Sequence, residues 1–315
     1  MVDLPYVTSS DVDGRLTWSV VVDALKKGHN APRAHIKDTV IDRGENAFLS
    51  RSAWVEGAGI GVKAFTVFAG NTRERRSTVQ GAMTLFDDIS GKPVAIIDSD
   101  LVTKWKTAGD SVLGASFLAR ADSESLLVLG AGEAASHLVD AYLAIFTRLK
   151  QVEIWNRTPA KATALASRAR ARTMNSCDAD IRAITDLNAA LGRADIISTA
   201  TMSTSPLIMG AGVTPGTHVD LVGAYKADMR EADDALMARA ELFVDSRDTT
   251  LKHIGELIMP LASGVITQSD IRGDLYDLCA GAVGRSSEEA VTVFKNGGGA
   301  HLDVMTARAI LDAIS

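Results

Sequence analysis

The chain has 315 residues, of which 46% are hydrophobic and 23% charged, and its net charge is −6. This length allows two domains with large cores, and the acidic balance excludes a general attraction to nucleic acid. There is no basic-then-apolar leader and no apolar run of about 18 residues, so neither export nor a membrane span is expected. Cys177 and Cys279 lack the spacing of a metal or disulfide framework, which predicts a cytoplasmic protein without a metal site.

The first third of the chain is predicted to form one helix and then a series of paired strands. Apolar spacing indicates a helix over 17–28. Alternation of apolar and polar residues, broken by glycine-containing turns, predicts the strands 34–41, 47–54, 57–68, 83–87 and 94–97.

Lys63 interrupts an otherwise apolar strand. Because desolvating an ammonium group is costly, a lysine there needs a reason. It lies either on the solvated face of an alternating strand or in a cleft, where it would hold a carboxylate or move a proton. The following helix, predicted over 101–120, places Lys106 and Thr107 near its start and leads directly into the next strand.

The segment Ser125–Ala135 organises the middle of the chain. Apolar residues 126–129 run into G-x-G-x-x-A, which opens an amphipathic helix over 134–147. A buried strand that enters a helix through such glycines is typical of dinucleotide binding, because the backbone can approach a pyrophosphate at the helix N-terminus. An ordinary glycine turn is the alternative. The residues predicted to bind the cofactor here are Gly130, Gly132, Glu133 and Ala134.

The residues after the next strand, 151–155, indicate which dinucleotide binds. NAD-preferring sites commonly have an acidic residue there, which binds the ribose 2′-hydroxyl. This chain has Asn156, Arg157 and Thr158, with Lys161 one turn later. Since cations and a hydroxyl can bind a 2′-phosphate, NADP(H) is predicted to be preferred, with NAD(H) possible; the alternative is a surface arginine in a loop.

Strands and helices continue to alternate downstream, which predicts an α/β fold with a Rossmann-type, doubly wound parallel sheet. Thr201 and Gly223 follow two of these strands, where they can face the cofactor. The further predicted elements are a helix at 187–191, strands at 194–199, 218–222 and 241–244, and weak helices at 254–261 and around 271.

The end of the chain combines a predicted strand, 290–294, with a glycine run and a closing helix, 304–314. The glycines permit close approach of the backbone to a ligand, with the titratable His301 and Asp303 beside them. The alternative is a glycine turn in which Asp303 caps the helix. The paired strands of the first third do not belong to a doubly wound sheet and predict a second domain.

Taken together, these motifs resemble the ornithine cyclodeaminase/mu-crystallin family. The segments that carry the resemblance are G-V-K-A-F-T-V-F-A-G-N at 61–71, K-T-A at 106–108, G-A-G-E-A-A at 130–135, W-N-R-T at 155–158, V-G-A-Y-K-A-D-M-R-E at 222–231 and F-K-N-G-G-G-A-H-L-D at 294–303. The resemblance implies a homodimer that acts on small amino or imino acids with a nicotinamide cofactor. It also implies that the Rossmann-type sheet, within 119–289, is inserted into an α+β dimerisation and substrate domain, 1–118 plus 290–315.

The resemblance also implies roles for individual residues. Lys63 falls on the family lysine that contacts substrate and moves a proton, and Asp303 is a second candidate for the proton. The family's Arg-Thr-Ala is Lys106-Thr107-Ala108 here, and a lysine binds a carboxylate as a point charge rather than with two parallel bonds. Arg51 or Arg33 would share that task.

Two further positions follow from the same resemblance. Asn71 and Thr107 are expected near the cofactor. Cyclodeaminases carry an aspartate two residues after the glycine that is Gly223 here, and this chain has Tyr225 in its place. The pattern therefore favours the family's imine reductases, such as those that make L-proline from Δ1-pyrroline-2-carboxylate.

The function predicted from the sequence is NAD(P)H-dependent reduction of a cyclic imino acid, with Lys63 and Asp303 catalytic and Arg51, Lys63 and Lys106 binding the substrate. Three alternatives stay open: an ornithine cyclodeaminase, an alanine-dehydrogenase-like reductive aminase, and a non-catalytic, NADPH-dependent carrier of a small ligand or crystallin-like protein.

Overall fold

The computed structural model describes residues 4–74, 76–174 and 177–315. Within these ranges the strands are β1 (Tyr6–Val7), β2 (His35–Arg43), β3 (Asn46–Val55), β4 (Gly59–Phe68), β5 (Val79–Phe86), β6 (Pro93–Asp98), β7 (Ser125–Leu129), β8 (Gln151–Trp155), β9 (Asp180–Ile184), β10 (Ile196–Thr199), β11 (His218–Leu221), β12 (Glu241–Val244), β13 (Ile271–Gly273) and β14 (Thr292–Lys295).

The helices of the same ranges are α1 (Ser9–Val12), α2 (Trp18–His29), α3 (Ser99–Leu118), α4 (Glu133–Ile145), α5 (Pro159–Thr173), α6 (Leu187–Leu191), α7 (Asp234–Arg239), α8 (Arg247–Thr250), α9 (Gly255–Ala262), α10 (Leu275–Cys279) and α11 (Ala300–Ile314). Short 3-10 turns occur at Ala69–Glu74, Gly210–Gly212 and Gln268–Asp270. In the part of the chain that the structure describes, no helix is both long and apolar enough to cross a bilayer.

One compact unit comprises the chain up to Gly109 and again from Gly299. Its six strands form a sheet in the order β1-β6-β5-β4-β3-β2, antiparallel except for the β1–β6 pair. Helix α11 packs on α2, β3 and β4. Gly61 permits this approach, since a Cβ there would lie 2.7 Å from Val304 Cγ2. The same alternation that turns Gly61 toward α11 turns Lys63 toward it.

The second unit, Asp110–Gly298, is built on an eight-stranded parallel sheet. Its order is β13-β12-β14-β11-β10-β7-β8-β9, so the chain starts at β7 and winds outward in both directions. Apolar side chains of the inner strands, including Leu127, Ile197 and Val219, are buried in its core. The order around β7 is that of a doubly wound fold, in which ligands bind at the carboxyl ends of the strands where the winding reverses. The predicted α/β class, with its Rossmann-type sheet and second sheet domain, is confirmed.

The unit boundaries differ from the predicted division into 1–118 plus 290–315 and 119–289. Strand β14 lies between β11 and β12 in the parallel sheet, so the second boundary falls after Gly298 rather than before residue 290. The first boundary falls within α3, after Gly109. The weak helix predicted around residue 271 is wrong: Ile271–Gly273 is the edge strand β13, which pairs with β12.

Candidate functional site

The glycine segment after β7 has the geometry that its sequence predicts. Gly130 adopts a φ of 122°, a conformation that residues with a side chain rarely adopt. A Cβ at this position would also lie 2.5 Å from the carbonyl oxygen of Ala200, so only glycine fits. Gly132 is the N-cap of α4, whose first turn begins at Glu133. The N–H groups of that turn are therefore available to an anion.

A cavity of about 390 Å³ opens beside this turn. Apart from its chain neighbours, no described residue has an atom within 4 Å of where a Cβ of Gly132 would be, which leaves room for a ligand against the backbone. Ala135 is fully buried and packs α4 closely on the sheet. The residues that line the cavity are Gly130, Ala131, Gly132, Trp155, Asn156, Arg157, Lys161, Ala200, Thr201, Met202, Ser203 and Leu207. Their arrangement fits a dinucleotide whose pyrophosphate lies at the N-terminus of α4.

The charges of the cavity are basic. Arg157 and Lys161 line it, and no aspartate or glutamate is among its described lining residues. Asn156 is held in place by its amide, which donates to the carbonyl oxygen of Thr158 at 3.1 Å. Thr158 is the N-cap of α5 and does not itself line the cavity. The cavity thus presents cations at the end of β8, where a ribose would be recognised.

Other predicted cofactor residues occupy different positions. Glu133 and Ala134 begin α4 with exposed side chains outside the cavity lining, and Gly223 lies beside Thr201 without lining it. Asn71 and Thr107 belong to the other unit, where the Asn71 amide donates to the Ser77 carbonyl at 2.8 Å. The cavity therefore gathers Gly130, Gly132, Asn156, Arg157 and Thr201 and does not include the remaining candidates.

In the first unit, the Lys63 ammonium donates to Asp303 Oδ1 at 2.7 Å and to Thr103 Oγ1 at 3.3 Å. Lys63 is 4% exposed and Asp303 1% exposed. The solvated-face alternative for Lys63 is therefore wrong. Asp303 lies in the first turn of α11, but Gly299 is the N-cap and no side chain caps it, so the capping alternative for Asp303 is wrong as well.

Burial and neighbouring charges tune this ion pair. The pKa of Lys63 is lowered to about 8, chiefly by desolvation and also by the positive charges of Lys106 and Arg51, while Asp303 opposes the shift. Burial raises the pKa of Asp303, but the charges of Lys63, Lys106 and Arg51 outweigh it and hold that pKa below its usual value. The pair is thus ionised at neutral pH, with a lysine able to release its proton just above it.

Two further cations belong to this unit's site. Arg51 lies directly across from Lys63 in the β3–β4 register and donates to Asp38 Oδ2 at 2.8 Å. Lys106 is only 6% exposed, and the described residues give its ammonium no hydrogen-bond or ion-pair partner. Its predicted position near the start of the helix is wrong, because α3 begins at Ser99 and places Lys106 in its middle.

The ionic balance of these groups favours an anionic ligand. Because Lys106 is largely buried and its ammonium has no partner among the described residues, a ligand carboxylate would stabilise its charge. Asp303 Oδ2 is also buried and has no hydrogen-bond partner among the described residues, so it can accept from a ligand N–H. The groups present fit a small molecule that carries both a carboxylate and a protonated nitrogen.

Sequence reasoning missed several buried charged residues in the second unit. Glu231, Asp245, Glu256 and Lys295 are each fully buried. Lys295 ends the apolar strand β14, and a lysine closing such a strand was the available signal. The three carboxylates lie in loops and a short helix, where no periodicity distinguishes a buried acid from a solvated one.

Comparisons with known proteins agree with this architecture. The model of the ornithine cyclodeaminase/mu-crystallin family matches residues 50–315. A protein of Paracoccus denitrificans (strain Pd 1222) named Delta(1)-pyrroline-2-carboxylate reductase is 55% identical over 306 residues, covering 97% of this chain and 95% of that protein. The ketimine reductase mu-crystallin of Rattus norvegicus is 34% identical, over 80% of this chain and 75% of its own length.

A solved structure of Delta(1)-pyrroline-2-carboxylate reductase from Thermococcus litoralis, in complex with NADH and L-proline, has a TM-score of 0.90 against this chain. It is 24% identical and covers 98% of this chain and 97% of its own. At this level of identity, the similarity shows that the two proteins share a fold.

Proposed function

Because the chain belongs to the ornithine cyclodeaminase/mu-crystallin family, we propose that it reduces cyclic imino acids with NAD(P)H. The substrates would be Δ1-pyrroline-2-carboxylate, Δ1-piperideine-2-carboxylate or both, and the products L-proline and L-pipecolate. The 55% identity to a protein named for the first of these reactions supports the proposal. The observation that carries it is the buried Lys63–Asp303 pair, together with Lys106 of the same unit, whose ammonium has no partner among the described residues.

Each part of such a substrate has a matching group. Lys106, with Arg51, would bind the carboxylate as positive charges. Asp303 Oδ2 would accept the N–H of the protonated imine, and the Lys63 ammonium would supply that proton. A protonated imine makes its carbon electrophilic, and a bound reduced nicotinamide supplies the hydride that this carbon accepts. The residues of this chain bind, orient and protonate the substrate.

For the cofactor we propose a preference for NADPH over NADH. Arg157 and Lys161 line the cavity that fits a dinucleotide, and its described lining carries no carboxylate to repel a 2′-phosphate. Nicotinamide binding as such is supported by the glycine geometry at Gly130 and Gly132.

We further propose that the chain is a homodimer of the cytoplasm. The face of the six-stranded sheet opposite Lys63 exposes large apolar side chains, which is typical of a surface that binds another protein. Ile41 is 59% exposed, Phe48 39%, Trp54 50% and Phe68 44%. A second copy of the chain would bury this patch. The cytoplasm is proposed because the two cysteines lack the spacing of a disulfide framework.

The test of the activity is direct. Purified protein is mixed with NADPH and either cyclic imine, and loss of the reduced-nicotinamide absorbance is followed; a parallel reaction contains ornithine and NAD⁺ and is assayed for ammonia. We expect oxidation of NADPH with an imine and no ammonia from ornithine. Ammonia release without imine turnover would instead identify a cyclodeaminase.

A further inference from the structure

The carboxylate of Glu231 accepts five hydrogen bonds from described residues of the second unit, and the proposed chemistry does not use it. Its Oε1 accepts from the backbone N–H of Thr201 at 2.9 Å and from the Thr201 hydroxyl at 2.6 Å. Its Oε2 accepts from the Thr199 hydroxyl at 2.7 Å, from the Gly223 N–H at 2.7 Å and from the Ala224 N–H at 3.3 Å. Glu231 is fully buried.

These donors belong to two neighbouring strands. Thr199 is the last residue of β10, and Gly223 follows β11 by two positions. The two strands are parallel and pair in register up to Thr199 and Leu221. The carboxylate of Glu231 is therefore hydrogen-bonded to the carboxyl ends of both β10 and β11. One of its donors, Thr201, also lines the dinucleotide cavity.

A second carboxylate fixes the backbone of Glu231. Glu256 accepts from the N–H of Glu231 at 2.8 Å and from the N–H of Ala232 at 2.9 Å. Lys295 is also fully buried, its ammonium donates to the Leu221 carbonyl at 2.7 Å, and its positive charge acts to lower the pKa of Glu256 against the raising effect of burial. Such a network holds Glu231 in a single position, because each of its members is buried and hydrogen-bonded.

The strand order assigns the two halves of the cofactor to opposite sides of β7. Strand β8, which ends next to Arg157, lies on one side, and β10 and β11 lie on the other. A dinucleotide bound across this switch point with its adenosine ribose at Arg157 extends its nicotinamide half toward β10 and β11. We infer that Glu231 is a positioning residue for the nicotinamide half of the cofactor, acting through the Thr201 and Gly223 loops; the inference rests on the proposed function.

Replacing Glu231 with glutamine should disrupt this arrangement without changing its size. Each oxygen of the carboxylate faces at least one backbone N–H, that of Thr201 or that of Gly223. A backbone donor cannot reverse its direction, so the amide NH₂ of glutamine must face one of them. Whichever way the amide is turned, either the Thr201 N–H or the Gly223 N–H then loses its hydrogen-bond acceptor.

The experiment separates the two halves of the cofactor. Wild-type protein, Glu231→Gln and the control Glu153→Gln are titrated by calorimetry with NADPH and NADH, and with adenosine 2′,5′-bisphosphate and ADP, which lack the nicotinamide. Glu153 is a buried carboxylate of the same sheet that pairs with Arg182 and Arg193 and accepts no backbone N–H from the residues that the structure describes. We expect Glu231→Gln to weaken dinucleotide binding at least tenfold and to leave fragment binding within twofold of wild type. The control should stay within twofold for all ligands.

Equal loss of dinucleotide and fragment, or no loss of either, would overturn the inference. If Glu231→Gln does not fold, Thr199→Val removes one hydroxyl donor to Glu231 outside the cavity lining and should weaken the dinucleotide alone, by about threefold; unchanged binding would again overturn the inference. Wild-type protein that binds none of the four ligands would instead contradict the proposed function.

Discussion

Lys63 Nζ lies 2.7 Å from Asp303 Oδ1, although the two residues are 240 positions apart in the sequence. The contact joins β4 to α11, the last helix of the chain, inside the first unit. It places a lysine with a lowered pKa and a partly unsatisfied carboxylate side by side, and neither is accessible to bulk water. The pair therefore contributes both to folding and to the proposed chemistry.

The two contributions can be separated by a double-mutant cycle. Lys63→Met and Asp303→Leu each leave one buried charge unpaired, so each should lower the free energy of unfolding by about 3 kcal/mol. The double variant buries no charge and should lose clearly less than the sum of the two, while all three variants lose imine reduction. Urea unfolding and steady-state kinetics measure these effects, with exposed Asp312→Asn on α11 as the control. Additive stability losses would show that the pair is not coupled.

The activity should depend on pH through Lys63. The acid form of Lys63 is the proposed proton donor, and burial lowers its pKa to about 8. The kcat/KM for the imine should therefore fall about tenfold per pH unit above pH 8 and be level below it. In Lys63→Arg the guanidinium does not titrate in this range, so the residual activity should lack this fall. A fall retained unchanged in Lys63→Arg would assign it to another group.

Arg157 should determine the preference between the two nicotinamide cofactors. Arg157→Ala removes a cation that lines the cavity, and the KM for NADPH should rise at least tenfold while that for NADH changes less than threefold. Arg168→Ala, an exposed arginine on α5, serves as the control and should change neither value. Equal effects on the two cofactors would remove the argument for a 2′-phosphate site.

Asp220 should make the stability of the protein depend on pH. Burial raises its pKa to about 6, although hydrogen bonds from the Ser198, Ser111 and Tyr142 hydroxyls oppose the shift. Between pH 4 and pH 6 the folded chain holds a proton at this site that the unfolded chain has lost, so stability falls as the pH rises through this window, by up to about 3 kcal/mol. In urea unfolding, Asp220→Asn should show a fall that is smaller by about this amount, and the fall that remains is expected from Glu256, whose pKa burial raises to about 7. A variant with the wild-type pH dependence would exclude Asp220 as its source.

The proposed dimer interface can be tested by adding charge to it. Phe48→Glu places a carboxylate in the exposed apolar patch on the outer face of the six-stranded sheet. We expect wild-type protein to sediment as a dimer and Phe48→Glu as a folded monomer. Lys27→Glu, an exposed site on helix α2, which lies outside the six-stranded sheet, is the control for added charge. If the wild-type protein sediments as a monomer, the proposed dimer is wrong.

Local sequence patterns predicted the strands and helices that carry the site residues, but they did not predict which distant segments pack against them. Apolar runs and glycine spacing identified β7 and the start of α4, because a G-x-G turn is specified within a few residues. The alternation around Lys63 identified its strand but left its face open. The packing of α11 and α3 against this face, which the local pattern does not record, buries Lys63.

The position of β14 in the sheet and the burial of Glu231 could not be predicted from the sequence, because both depend on contacts between distant segments. The position of β14 between β11 and β12 depends on contacts among segments far apart in the chain, which no local periodicity records. The same holds for Glu231, an acid in a loop whose five donors come from two other loops or strands. Burial of such a group is specified by the assembled sheet.

The late position of β14 also has a consequence for synthesis of the protein. Strands β12 and β13 reach the rest of the parallel sheet only through β14, which the ribosome completes at residue 295. Until then β11 presents an unpaired edge, and the nascent sheet is open to pairing with other chains. Residues as far as Lys295 must therefore leave the ribosome before the sheet of the nucleotide-binding unit can close, which leaves the edge of β11 exposed through most of the synthesis of this unit.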